Sequence, residues 1–153
     1  MLDGGVGRLQ ISGLKGLSTR DRDNQPFQTV TESLIDNINN GCDRDGLSAR
    51  TWRFRYIETY LLSPSSIARA ANVPETEVIN YAKMIGGGVD LSIYNSKNIP
   101  LVLQELPSKT ILTENEECLT KKYNISKYDI AKKMTILEIH VDIKKIIEQI
   151  LSL

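Results

Sequence analysis

The sequence predicts a mainly α fold: a core of three short helices, a short β-hairpin beside it, and a helical C-terminal unit. Three observations carry this expectation. Helix-starting signals stand ahead of apolar-periodic stretches at Thr29 with Glu32, Ser63 with Pro64, and Ser126 with Asp129. Asparagine or glycine, the residues that tolerate a left-handed cap, stands where such helices would end, at Asn39-Asn40-Gly41 and at Asn72. Apolar and charged fractions of 41% and 25% over 153 residues are those of a globular chain long enough to bury its own core.

Residues 1–26 carry glycine at 4, 5, 7, 13 and 16 and then the turn-prone TRDRDNQP, with no helical period, and read as a flexible arm. A helix follows from Thr29, and CDRDG closes it with a turn. Ser48 can cap a helix running to about Leu62, with Trp52, Tyr56 and Tyr60 on one face. The same letters, Trp52-Arg53-Phe54-Arg55-Tyr56, alternate like a strand; the helix is preferred because the run continues through IETYLL to Ser63-Pro64. After Gly86-Gly87-Gly88, the apolar runs VDLSIY and IPLVL flank Asn95-Ser96-Lys97-Asn98 and predict a hairpin over 89–104, with Pro100 placing its second strand at an edge. A capping box at Thr113 with Glu116 and an N-cap at Ser126, with Asp129 three residues later, return the tail to helix.

The segment PSSIARAANVPETEVINYAK, residues 64–83, has the spacing of two helices crossing at a sharp turn. Ala68 is the small residue at the crossing, Asn72 makes the turn, and Ile67, Ala71, Val73, Val78 and Tyr81 fill the inward positions. Proline at 64 and 74 suits a first helical turn, and Glu75 and Glu77 suit the positive end of the second helix. In these 20 residues the chain resembles the helix-turn-helix of bacterial and phage repressors. The resemblance implies a trihelical helix-turn-helix core over about 48–85, a wing-like hairpin, and a second helix entering a major groove with Glu75, Thr76, Asn80 and Lys83 outward. The two glutamates are awkward beside phosphates, although a carboxylate can accept from cytosine.

A second candidate, KYDIAKKMTILEIHVDIKKI at 127–146, places Ile130, Ala131, Met134, Ile136 and Val141 at corresponding positions with Thr135 at the turn. The wider stretch 112–151 is faintly similar to the C-terminal DNA-binding domain of response regulators of the LuxR type, through its Leu112-Thr113 start and Asp129-Ile130-Ala131. Against this, 137–143 alternates like a strand. Ile136, Ile139, Ile143, Ile146, Ile150 and Leu153 follow the spacing of a helix seam, which serves either packing within the chain or a homodimer contact. The organisation expected is therefore an arm at 1–26, a helix-turn-helix domain with wing at 27–106, and a C-terminal unit at 107–153 that is a second helix-turn-helix or a dimerisation element.

Net charge is zero, 19 basic against 19 acidic residues, so binding to nucleic acid must come from a local patch. All arginines lie between Arg8 and Arg69, and every later cation is lysine. The candidate DNA contacts are Arg53, Arg55, Arg69, Glu75, Thr76, Asn80 and Lys83, joined by Lys127, Lys132 and Lys133 from the densest lysine cluster and by Arg8, Lys15, Arg20 and Arg22 from the arm. That lysine cluster reads equally as a solvated helix face. One histidine, His140, lies in an apolar run and reads as structural; Cys42 and Cys118 have no metal-binding spacing. Neither a nucleophile elbow nor a phosphate-binding loop is present. The expectation is no enzyme, no metal and no cofactor. With no apolar run of membrane-spanning length and no leader-like start, a cytoplasmic protein is expected. Double-stranded DNA is the expected partner. The alternative is an adaptor that uses the trihelical shape to hold another protein.

Overall fold

The computed structural model of the chain describes residues 15–23 and 47–153, and these are mainly helical with one small parallel sheet. Strands β1 (Gly16–Arg20) and β2 (Leu47–Thr51) pair in register, Gly16 with Leu47 through Arg20 with Thr51. Helices α1 (Pro64–Ala71), α2 (Glu75–Ile85), α3 (Leu101–Gln104), α4 (Leu119–Tyr123), α5 (Lys127–Lys133) and α6 (Val141–Leu151) follow. Short 3-10 turns lie at Ile57–Leu61 and Leu91–Ile93, and a π turn at Thr110–Glu114. The helix and turn expected between residues 29 and 46, and Cys42, lie outside the described residues.

The α1–α2 pair forms for the local reasons read from the sequence. Ser63 accepts from the Ser66 N–H and Pro64 opens α1. Asn72 ends the helix in the left-handed region, at φ 54° and ψ 46°, and Val73 N–H donates to Ala68 O at 3.1 Å. Pro74 caps α2 rather than starting it. At its far end Gly87, at φ 67°, lets the Gly88 N–H reach back to Lys83 O at 2.9 Å. Ile67, Ala68, Val78 and Ala82 are buried between the helices.

Three expectations are corrected. The helix over 48–62 is instead strand, bend and 3-10 turn: β1 supplies a partner ladder, and the alternation runs inward at Trp52 and Phe54 while Arg53 and Arg55 stay half-buried. The third helix packed on α1 is α5, from far down the chain, with Ile130 buried beneath it. The hairpin over 89–104 is absent because each half turns on itself. Asp90 caps the Leu91–Ile93 turn, Asn95 accepts from Lys97 N–H, and Pro100 O accepts from Leu103 and Gln104 N–H to start α3.

The arm is also corrected where it is described. Residues 16–20 are strand, and Arg22 is 2% exposed, its Nε donating to Arg53 O at 2.8 Å and its guanidinium pairing with Glu105. Thr113 donates to Lys109 O inside the π turn instead of capping a helix. Ser126 caps α5 as expected, and with Asp129 it forms a reciprocal capping box.

One buried cluster joins Trp52, Phe54 and Tyr60 to Ile67, Val78, Leu103, Leu112, Ile130 and Ile146, so the packing crosses the 106–107 position. Of the five residues aligned for a second motif at 127–146, only Ile130 is buried; residues 136–138 are a turn, and nothing in 137–143 is strand. The isoleucine seam is likewise interrupted. The helix begins only at Val141, Ile143 and Ile146 face the core, and Ile136 and Ile150 are exposed.

At the start of α6, Asp142 is sealed from water. Its Oδ2 accepts from Tyr60 OH at 2.6 Å, and Arg53 stands 3.3 Å from Oδ1. His140, also buried, uses Nδ1 to accept the Asp142 N–H at 3.0 Å and packs edge-on against Phe54 and Tyr60.

Two outcomes follow from this packing. Asn72→Gly should leave stability nearly unchanged, whereas Asn72→Val should lower the urea-unfolding free energy by about 1–2 kcal/mol, because a β-branched residue is strained at positive φ. Burial, then Asp142, pushes the Tyr60 hydroxyl well above its ordinary 10.0, and burial raises Tyr94 as well. Their contribution is therefore complete below pH 10 and lost as the pH climbs toward the folded values, so urea midpoints should fall above pH 10 with late tyrosinate absorbance in the folded chain.

Candidate nucleic-acid interface

On α2, Thr76, Asn80 and Lys83 are exposed and, at 3.6 residues per turn, share one face. Glu75 and Glu77 stand about a third of a turn to either side. Glu75 Oε2 accepts from Ser65 Oγ at 2.8 Å, which holds it against α1. Glu77 lies toward Tyr123, whose hydroxyl is pushed up to about 12 by burial and then by that carboxylate. The outward face is thus left polar with a cation at its C-terminal end. Met84, 67% exposed, borders it.

Where α1 ends and α2 begins, an open cleft of about 640 Å³ is lined by Ser65, Ala68, Arg69, Asn72, Val73, Pro74, Glu75 and Lys133. The C-terminal turn of α5 therefore brings Lys133 to the mouth of the α1–α2 turn. Arg69 fixes this meeting: its Nε and a terminal nitrogen donate to Lys133 O at 3.1 and 2.8 Å, and it pairs with Glu138. Glu138 also accepts from Thr135 N–H at 2.7 Å and from Ser63 Oγ at 3.2 Å. Burial alone would raise the Glu138 carboxyl, but these hydrogen bonds and Arg69 hold it below the ordinary range.

The residues proposed from sequence divide into two groups. Thr76, Asn80, Lys83, Lys132 and Lys133 are exposed around α2 and the end of α5, with Lys132 6.0 Å from the Tyr128 ring. The others are occupied by the fold. Arg53 faces Asp142, Arg55 lies over the Tyr56 ring at 5.3 Å, Lys127 pairs with Glu58 at 3.1 Å, Glu75 is tied to Ser65, and Arg69 clamps α1 to α5. From the arm, Arg22 is internal and Lys15 exposed, while Arg8 lies outside the described residues. Glu138 was missed, although Thr135 with Glu138 three residues on has the capping-box spacing that could have revealed it. Among the described residues no group of His, Cys, Asp and Glu could hold a metal ion, and no helix is long and apolar enough to cross a membrane. Cys118 is buried.

Comparison with known proteins finds no matching family model, no similar curated protein and no similar solved structure.

Replacing Glu138 with alanine should lower stability by about 1.5–3 kcal/mol, the scale of hydrogen bonds to a charged group. Since the folded carboxyl is held below 4.5, its stabilisation is present above that pH and lost as the pH falls through the folded value. Urea denaturation of Glu138→Ala should therefore show a shallower acid decline than the native sequence.

Proposed function

We propose that this chain is a cytoplasmic DNA-binding regulator, acting in transcription or in mobile-element control, whose α1–α2 pair works as a helix-turn-helix with α2 laid in the major groove. The observation that carries the reading is the outward face of α2: Thr76, Asn80 and Lys83 point to solvent together, while Glu75 is tied to α1 through Ser65 and Glu77 stands off this face on the other side. The sequence objection, acid facing phosphates, is thereby weakened. Asn80 is suited to bidentate hydrogen bonding with adenine, and Thr76 to base or phosphate contact. Lys83, Lys132 and Lys133 supply phosphate neutralisation from two helices.

A protein-interaction adaptor is the second reading, favoured by the single cation on the exposed face of α2 and by zero net charge. The two readings part in solution. Anisotropy of labelled random duplex DNA at two salt concentrations should show binding that falls steeply with salt. Lys83→Ala and Lys133→Ala should each weaken binding across all sequences and reduce the salt slope by about one. Asn80→Ala should reorder sequence preference and leave the slope in place. An intact chain with no salt-sensitive binding would leave the adaptor.

A further inference from the structure

Ile143 and Ile146 turn one side of α6 to the core, and the opposite side carries a pattern of its own. Val141, Ile147 and Leu151 are exposed by 38%, 47% and 82%, and Lys144 and Glu148 lie between them on the same third of the helix circumference. About the midpoint Ile146, two pairs on this face occupy mirror positions, while Ile147 at its edge falls opposite Lys145. Val141 mirrors Leu151 and Lys144 mirrors Glu148, apolar against apolar and cation against anion.

We propose that the outer face of α6 is a self-association surface that receives the α6 of a second copy in antiparallel orientation, with Lys144 of each chain opposite Glu148 of the other. A two-fold axis through the helix midpoint requires residue i to meet its mirror residue, and the Val141–Leu151 and Lys144–Glu148 pairs satisfy that requirement with complementary partners. A parallel pair would instead set Lys144 against Lys144, so the charges choose the direction. Exposed ion pairs add little energy, so the charges set register while the apolar residues supply attraction. A pair of helices this short buries little area and makes a weak, reversible dimer. The proposal concerns assembly alone and stands or falls apart from DNA binding.

Sedimentation equilibrium without nucleic acid tests it. The native chain should populate a dimer, and Lys144→Glu or Glu148→Lys should each weaken self-association at least about tenfold by setting like charges together. Both positions have solvent access, so circular dichroism should be unchanged. An equimolar mixture of the two single variants should recover the dimer, because the Lys144→Glu chain is acidic at both positions and the Glu148→Lys chain is basic at both, so each opposes the other with the complementary charge. The doubly swapped chain should dimerise alone. A native chain that stays monomeric, single variants that associate as the native chain does, or a mixture that stays monomeric overturns the proposal.

Discussion

A carboxylate at the first turn of α6, closed off from water, must be answered by the groups around it, and Asp142 is answered from the far side of the core. Tyr60 donates to it and Arg53 stands beside it, so the aromatic segment preceding α1 is tied to the last helix. Removing one partner of such a buried charge typically costs about 3–5 kcal/mol. The dependence spreads outward. Arg53 O receives Arg22, which carries β1 against the same layer, and His140 orders the backbone that leads into α6. Just upstream, Glu138 gathers Ser63, Thr135 and Arg69, and Arg69 in turn closes the last carbonyl of α5. The segment 138–142 thus carries two acidic anchors in succession, buried Asp142 toward the aromatic layer and half-buried Glu138 toward α1 and α5.

Neutral overall charge is reached by a division of labour between the two cations. Arginine, whose planar fork can satisfy several acceptors, ties segments together at Arg22, Arg53 and Arg69. Lysine is left toward solvent at Lys83, Lys132 and Lys133. The abrupt change from arginine to lysine along the sequence mirrors in part this difference of use, since the described arginines precede or form the clamps and the later cations coat helix exteriors.

What could be read in advance was what local chemistry decides. Ser63-Pro64, Asn72 and the Ser126–Asp129 box act within a few residues, so helices 64–71, 75–85 and 127–133 were legible, and helical phase put Thr76, Asn80 and Lys83 on one outward face. Residues 48–62 were not legible, because their state depends on a parallel partner strand that no adjacent residue announces. The hairpin failed through Asn95 and Pro100, each of which offers the backbone a closer partner than a facing strand. Within the site, the tether on Glu75 and the clamp made by Arg69 escaped notice because both partners come from other elements.

The origin of the third helix has a consequence for how the protein is made. On the ribosome, α1 and α2 emerge early, yet the surface of α1 that α5 covers stays open until Lys133 has been synthesised and released. The α1–α2 pair cannot mature as a module while the chain is still growing, and a message truncated after Ile85 yields two helices without the partner that completes them. Long-range closure of this kind slows folding relative to a bundle of neighbours in sequence. Nascent chains would therefore depend on staying soluble through that interval, and an unfinished copy would leave open the surface of α1 that α5 covers in the finished one.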